Sequence, residues 1–352
     1  MRKGKPKVSV IVPNYMHSAY LNIRLQSISQ QSFKDFEVIL LDDASIDESE
    51  KILISWAKKN SKFKYFPNKK NSGSTFSQWN KGANIAEGKY LWIAESDDWA
   101  DPFLLEKLVL QLDNNPDASI AFGQSMLINE AGEELHDFNI HYNYIFKKDR
   151  WQRAYLNNGV NEIENYMILH NVIPNASAAL LRKSTYDKVG GASENWKLNG
   201  DWMFYIKMLE HGSICYIPDT INYFRVHNNT QRVLANKNGS VYHELLTIID
   251  YIASNHNPTN KLKKRAYSNI ASWWVHSIYR QSWVKENRNQ NIKVNFKLFK
   301  RFIFIRPITI VHIPYEGTVR LAVLILTFLK LKEPMRKILH KLFPNHFIPH
   351  ST

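Results

Sequence analysis

The stretch YLWIAESDD, residues 90–98, joins an apolar run to an acidic cluster. Its first five residues are typical of a buried β-strand, and its last four include three carboxylates. Carboxylates this close repel one another unless a cation lies between them, and oxygen ligands suit magnesium or manganese. The alternative is an acidic turn ahead of a helix, because Asp101 and Pro102 resemble an N-cap and a first helical position. Both interpretations place a polar site at the end of a strand.

Similar apolar runs alternate with helical patterns on both sides of this stretch. Strands are predicted over residues 8–12, 36–41, 63–66, 90–94 and 119–122. Helices are predicted over 20–31, 77–86 and 102–114, and another helix follows the capping-box pattern of Ser45 and Glu48 and extends through residue 56. This alternation predicts an α/β protein with a mostly parallel sheet and helices on both faces. Ligands of such sheets bind beyond the carboxyl ends of the strands, where the acidic residues 42–43 and 95–98 both lie.

The pattern changes further along the chain. Residues 129–171 show no clear period, and regularity returns with an apolar run at 178–181. A helix over 202–210 and strands over 214–217 and 223–226 follow. After about residue 230 the chain is aromatic and basic and looks mainly helical. We therefore predict a catalytic domain over residues 1–230 and a helical basic region over residues 231–352.

The composition fits a globular protein, with 352 residues of which 44% are hydrophobic. Cys215 is the only cysteine, which excludes an intramolecular disulfide and any site of several cysteines. We expect it to be a buried strand residue. The first residues are basic but lead directly into a strand, without the apolar core of a signal peptide. The simplest prediction is a cytoplasmic enzyme.

The net charge of +14 is concentrated in the tail, where residues 231–352 hold 20 Lys and Arg against 5 Asp and Glu. The apolar run 321–329 is too short to cross a bilayer, which needs about 20 residues. With residues 296–304 it predicts helices that lie on an anionic membrane surface at the inner face. The alternative is a helical appendage that packs on the catalytic domain or on a second subunit. No nucleic acid is expected, because no recognised binding motif accompanies the charge.

Several short segments, in order, resemble the family 2 glycosyltransferases, which are nucleotide-sugar-dependent enzymes of the GT-A fold. The matching segments are residues 8–15 (VSVIVPNY), 38–47 (VILLDDASID), 71–73 (NSG), 81–82 with 86–88, 95–98 (ESDD), 200–202 (GDW) and 223–227 (YFRVH). The resemblance covers about residues 5 to 230. It implies a GT-A type, Rossmann-like sheet, and it leaves the basic tail outside.

The resemblance assigns a nucleotide site to the first loops. Pro13 and Tyr15 resemble the loop that packs against the base, and Asp43 resembles the carboxylate that reads the edge of uracil or of an equivalent base. Gly73 is expected to let the backbone approach the nucleotide sugar. The alternatives are an acidic turn ahead of a helix at Asp43 and a plain turn glycine at Gly73.

The resemblance also assigns a metal site. Asp97 and Asp98 match the motif that grips a divalent metal, Mn²⁺ or Mg²⁺, and the donor ribose, with Asp98 as the first choice of direct ligand. The motif usually starts with aspartate, whereas this chain has Glu95, so Glu95 is either a ligand or a supporting carboxylate.

Asp201 resembles the general base of inverting transfer, which takes the proton of the acceptor hydroxyl. Its alternative is a helix N-cap. Trp202 is predicted either to line the acceptor site or to pack in the core. Arg225 and His227 point to one face of a strand and are predicted to meet the diphosphate, although a structural role is open. On position alone, Asn175 and Ser177 are expected to contact the acceptor.

These observations predict an inverting, metal-dependent glycosyltransferase. It would move one sugar from a nucleoside diphosphate donor, UDP-linked, to a glycan or lipid-linked acceptor in cell-surface polysaccharide synthesis. Single additions are expected because the Gln-x-x-Arg-Trp motif of processive relatives is missing. A nucleotidyltransferase is the first alternative, but residues 13–18 lack the glycine and lysine of its phosphate loop. A non-catalytic scaffold on a transferase fold is the second.

Overall fold

The computed structural model describes residues 4–146, 149–226, 240–281, 297–298 and 300–302. The chain divides into two compact units, of which the first comprises Met1–His227 and Asp250–Leu262 and the second comprises Asn228–Ile249 and Lys263–Thr352. His227, the apolar run 321–329 and residues 296, 299, 303 and 304 lie outside the described residues. The predictions made for them stay predictions.

The first half of the first unit alternates strands and helices. Its elements are β1 (Val8–Asn14), α1 (Ser18–Ser29), β2 (Phe36–Asp42), α2 (Ser49–Lys59), β3 (Phe63–Pro67), α3 (Thr75–Ile85), β4 (Tyr90–Ile93), β5 (Trp99–Ala100) and α4 (Leu104–Asn114). The second half adds β6 (Ala118–Ile128), β7 (Glu134–Asp137), α5 (Phe138–Phe146), β8 (Tyr155–Asn157), α6 (Gly159–Glu162), β9 (Ala179–Arg182), α7 (Lys183–Lys188), α8 (Gly200–Leu209) and β10 (Ser213–Arg225). Two longer helices follow, α9 (Ser240–Asn255) and α10 (Asn260–Gln281).

One sheet organises the unit, in the strand order β3-β2-β1-β4-β9-β6-β10-β5, with β7 paired to β6 and β8 to β10. The strands β3, β2, β1 and β4 run parallel to one another, and β6 and β10 are parallel to each other. Strand β9 runs antiparallel between β4 and β6. The predicted α/β fold with a parallel sheet core is confirmed, and the carboxyl ends of β1, β2 and β4 lie side by side.

The apolar runs explain why these strands are central. Every residue of β1, β2 and β4 is buried, as expected for strands covered on both faces. Helix α3 approaches β1 closely at Gly82, where a Cβ would lie 2.4 Å from the Ile11 side chain. A larger residue there would push the helix off the sheet, so Gly82 fixes the position of α3 over the strand.

The sequence prediction was wrong in one strand. The two predicted strands over 214–217 and 223–226 are one strand, β10, whose pairing with β6 is irregular between Ile217 and Ile221. Pro218 lies in this irregularity, where a missing N–H is tolerated. The prediction for Cys215 is confirmed, because it is buried within β10.

The far end of α8 is anchored by residues that follow much later in the chain. Glu210 accepts a hydrogen bond of 2.5 Å from the Tyr251 hydroxyl and lies 3.1 Å from Nε2 of His256. Lys207 contacts both Glu210 and Tyr251. These residues belong to the first unit, so the segment Asp250–Leu262 stabilises the helix that begins at Gly200.

The second unit is described over parts of α9 and α10 and a few later residues. The Trp274 ring stacks on Phe302 with ring centres 5.1 Å apart, and the Tyr242 hydroxyl donates to the Trp273 carbonyl. Among the described residues of the whole chain, no helix combines the length and apolar character that crossing a bilayer requires.

Candidate active site

The loops that follow β1, β2 and β4 contact one another. His17 Nδ1 lies 2.8 Å from Ser96 Oγ, and the Met16 amide donates to Ser45 Oγ over 2.9 Å. Met16 and Ala44 adopt left-handed backbone conformations, with φ of 61° and 60°. Such conformations are uncommon for these residue types and persist where surrounding contacts hold them. The three loops thus form one connected edge of the sheet.

The two aspartates after β2 have different surroundings. Asp42 accepts hydrogen bonds from Asn14 Nδ2 and from the Ser45 amide and hydroxyl, which closes the turn. Asp43 is also buried, and its carboxylate accepts hydrogen bonds from Asn68, Ser72 and Gln78. Asp43 therefore ties the loop before α3 to β2, and its predicted contact with the nucleotide base stays a prediction.

The other predicted nucleotide residues lie beside these aspartates. Tyr15 is 48% exposed, so its ring is accessible to a base, whereas Pro13 is buried within β1. Gly73 has φ of +71°, with only Asn71 Oδ1 near its missing Cβ, at 3.9 Å. The turn alone therefore requires glycine at this position. Close approach to a nucleotide sugar stays a prediction.

The acidic cluster of Glu95, Asp97 and Asp98 follows β4. Asp98 is buried, and its carboxylate accepts hydrogen bonds from Asn175 Nδ2, at 2.5 Å, and from the Arg225 amide, at 3.0 Å. Glu95 Oε1 accepts a hydrogen bond of 2.9 Å from Trp79 Nε1. Asp97 is only partly buried, so it is more accessible than Asp98, the predicted first choice of metal ligand.

The charges of the cluster are incompletely balanced. Burial, followed by repulsion from Asp97, raises the pKa of Glu95 to about 8 and that of Asp98 to about 7. A divalent cation would favour the ionised carboxylates, and their oxygen atoms suit Mg²⁺ or Mn²⁺. Within the described residues, no three His, Cys, Asp or Glu side chains converge on a point that could hold a metal. The arrangement fits a metal held by one or two carboxylates and completed by a diphosphate.

These raised pKa values predict how the stability of the metal-free protein depends on pH. The folded protein holds protons on Glu95 and Asp98 at pH values where the unfolded chain, with pKa values near 4, has lost them. We expect the free energy of unfolding to fall as the pH rises from about 5 to about 8. Urea unfolding in EDTA would measure this slope, which should be shallower in Glu95→Gln. Equal slopes in both proteins would contradict the prediction.

Asp201 lies in the first turn of α8. Its Oδ1 accepts a hydrogen bond from the Trp202 amide over 2.8 Å, and its Oδ2 accepts one from Asn171 Nδ2 over 3.2 Å. The carboxylate is only partly buried. Trp202 is 3% exposed and its Nε1 donates to the Met167 carbonyl, which places its ring in the core rather than on an open acceptor surface.

Contacts connect the helix of Asp201 with the acidic cluster. Burial and then the negative charges of Asp201 and Glu95 raise the pKa of Tyr205 well above its usual value. The Trp79 ring, which donates to Glu95, also contacts Phe204 of α8 at 6.4 Å between ring centres. Trp79 and Phe204 therefore connect the predicted metal motif to the helix that carries the predicted base.

Arg225 is buried, and its guanidinium donates to the backbone carbonyls of Asp97, Asn129 and Glu130. These hydrogen bonds hold the loop after β4 in place. The contact of Arg225 with the diphosphate stays a prediction. Asn175 and Ser177, predicted to meet the acceptor, are buried instead. Ser177 Oγ accepts a hydrogen bond from the Glu95 amide, and Asn175 donates one to Asp98. Both residues therefore hold the acidic cluster in place.

Sequence reasoning missed three residues of this site, Arg24, Trp79 and Asn171. Arg24 could have been found, because it occupies the buried face of α1 between Leu21 and Leu25. A cation on an apolar stripe indicates a buried charge partner. Trp79 and Asn171 gave no such signal, since their partners are distant in the sequence.

Comparison with known proteins agrees with this geometry. Residues 9–173 match the family model of Glycosyl transferase family 2. An uncharacterized glycosyltransferase of Methanocaldococcus jannaschii is 36% identical over 136 residues, which cover 38% of this chain and 47% of that protein. The chain thus matches less than half the length of this relative.

Two solved structures share the fold. S. aureus TarS 1-349 in complex with UDP-GlcNAc has a TM-score of 0.58 at 20% identity, covering 82% of this chain and 79% of that one. The mannosyltransferase PcManGT from Pyrobaculum calidifontis, in complex with GDP-Man and Mn²⁺, has a TM-score of 0.56 at 13% identity, covering 88% and 84%. These structures show that the chain has the GT-A fold, and its residues 9–173 are similar to glycosyl transferase family 2.

Proposed function

We propose that this protein is an inverting, metal-dependent glycosyltransferase that moves one sugar from a UDP-linked donor to a glycan or lipid-linked acceptor. The observation that supports the proposal is the chain of contacts from Glu95 through Trp79 and Phe204 to α8, the helix that carries Asp201. A carboxylate base close to an acidic, metal-binding motif is what displacement at a sugar carbon requires. Structural relatives bind UDP-GlcNAc and GDP-Man, which supports a nucleotide-sugar donor.

In this mechanism Asp201 takes the proton from the acceptor hydroxyl as its oxygen attacks the anomeric carbon, opposite the leaving diphosphate. Asn171 and the Trp202 amide hold the carboxylate in one orientation. Asp97 and Asp98 are the residues that would hold a divalent metal. Such a metal, when bound, would neutralise the negative charge that grows on the diphosphate. The exposed Tyr15 ring would cover the base.

The setting that we propose is cell-surface polysaccharide synthesis, with the basic tail at the inner membrane face. The charge of residues 231–352 supports contact with anionic lipid. Packing of the tail on a second subunit is the competing proposal.

A thermal-shift screen with UDP, GDP, CDP and dTDP tests the donor class. We expect UDP to raise the melting temperature only when Mn²⁺ is present. A nucleotide at about 100 times its Kd should add about 2.7 kcal/mol to the free energy of unfolding. A shift with another nucleotide alone would reassign the base. No shift with any nucleotide, in a demonstrably folded sample, would favour a non-catalytic scaffold.

A further inference from the structure

Arg24 is the most unusual buried charge of the described chain. It is 0% exposed, and none of its three guanidinium nitrogens has a hydrogen-bond partner among the described residues. Its guanidinium carbon lies 5.0 Å from the ring centre of Trp92, in β4. Taking a guanidinium out of water without compensation is very unfavourable. One cation–π contact does not offset that loss, so other charges must contribute.

The acidic cluster supplies these charges, because it directly follows β4, the strand whose Trp92 ring the guanidinium contacts, and because His17, just before α1, contacts Ser96 within the cluster. Burial lowers the pKa of Arg24 to about 10, and attraction from Asp98, Asp97 and Glu95 opposes this fall. The guanidinium therefore remains protonated at neutral pH. In return, the charge of Arg24 lowers the pKa of both Glu95 and Asp98 against the effect of burial. The attraction is therefore mutual.

The charge balance of this group is informative. Once Glu95 and Asp98 are both ionised, above their pKa values of about 8 and about 7, three carboxylates and one guanidinium leave two net negative charges, which one divalent cation would neutralise. Without Arg24, the same carboxylates would carry a third uncompensated charge in a buried setting. The other buried positions of α1 hold the apolar residues Leu21, Leu25 and Ile28. An apolar residue at position 24 would pack equally well, so hydrophobic packing alone does not explain the arginine.

We propose that Arg24 is the internal counter-charge of the acidic cluster. It is a positioning residue that holds the carboxylates in place when no cation is bound, and it sets the net charge of the cluster to match one divalent cation. Only the matching to a cation rests on the proposed function. The role as counter-charge concerns the folded protein itself.

A double-mutant cycle tests the counter-charge in the full-length protein. The variants are Arg24→Met, Glu95→Gln and their combination, compared by urea unfolding in EDTA at about pH 9, where Glu95 and Asp98 are ionised and Arg24 keeps its proton. Glutamine can still accept the hydrogen bond from Trp79, so Glu95→Gln changes mainly the charge. We expect Arg24→Met to lower the unfolding midpoint and the double variant to regain most of the loss. A packing role would make the two effects additive, which would overturn the proposal, as would an unchanged midpoint in Arg24→Met.

Poor folding of Arg24→Met would not obscure the result. If the double variant folds where Arg24→Met does not, removal of one negative charge restores folding, and the proposal is supported. Arg24→Lys keeps the charge and should fold. If Arg24→Met, Arg24→Lys and the double variant all fail to fold, shape rather than charge is required and the proposal is overturned.

Titration calorimetry with Mn²⁺ tests the matching to a cation. Because Arg24 repels a bound metal, Arg24→Met should bind Mn²⁺ about tenfold more tightly than the unchanged protein. Arg24→Lys should bind like the unchanged protein. Equal or weaker binding by Arg24→Met would overturn the charge matching. If the unchanged protein binds no Mn²⁺, the charge matching fails together with the proposed function, whereas the unfolding cycle still decides the counter-charge.

Discussion

Replacing Asp201 with asparagine should lower the rate of donor cleavage by a factor of about 10² to 10⁴, the usual contribution of a general base. Asparagine keeps the size of the side chain and an oxygen that can accept from the Trp202 amide or from Asn171. Release of the nucleoside diphosphate from the donor, with water as acceptor, measures the effect without knowledge of the natural acceptor. The metal-dependent thermal shift by the nucleotide should persist, because Asp201 does not hold the donor.

A matched control for this variant is Asp187→Asn, which alters an exposed carboxylate that pairs with Lys183 on α7. It should retain full activity. Donor cleavage by Asp201→Asn within about threefold of the control would show that another group takes the proton, since a lost general base has a larger effect.

The second large effect is expected in the acidic cluster. Asp97→Asn and Asp98→Asn should each abolish the Mn²⁺-dependent thermal shift by the nucleotide and lower activity by about 10² or more. The two variants should differ in stability without ligand. Asp98 is buried, and its two carboxylate oxygens accept hydrogen bonds from Asn175 and from the Arg225 amide. In Asp98→Asn, the new NH₂ group would face one of these donors, so one hydrogen bond is lost. This loss should lower the free energy of unfolding by about 1–3 kcal/mol. Asp97 is more exposed, and its replacement should change stability little.

This comparison separates ligand binding from support of the fold. Urea unfolding in EDTA gives the stability of each variant, and thermal shift with UDP and Mn²⁺ gives nucleotide binding. If the nucleotide raises the melting temperature of both variants as much as that of the unchanged protein, the acidic cluster is not part of the donor site. A loss in Asp98→Asn alone, together with low stability, would indicate that Asp98 acts through the fold.

The sequence was sufficient for the parallel core of the sheet, because long apolar runs ended by acidic residues leave few alternatives. It was insufficient where distant contacts decide. The continuity of β10 across Pro218 depends on pairing with β6, which local patterns do not encode. Arg225 was predicted to face a diphosphate because it alternates with His227, yet its donors meet carbonyls of two other loops. Arginine can serve either purpose, and only the positions of those loops distinguish them.

The anchoring of α8 has a consequence for how this protein can be shortened or recombined. The first unit is interrupted in the sequence, since the chain leaves it after His227 and returns to it from Asp250 to Leu262. In a chain cut at residue 230, Glu210 would lose its contacts with the Tyr251 hydroxyl and with His256. Glu210 lies at the end of α8 opposite to Asp201, so the helix would lose its support at that end. Exchange of tails between relatives would therefore preserve the support of α8, and with it the position of Asp201, only if the crossover falls after residue 262.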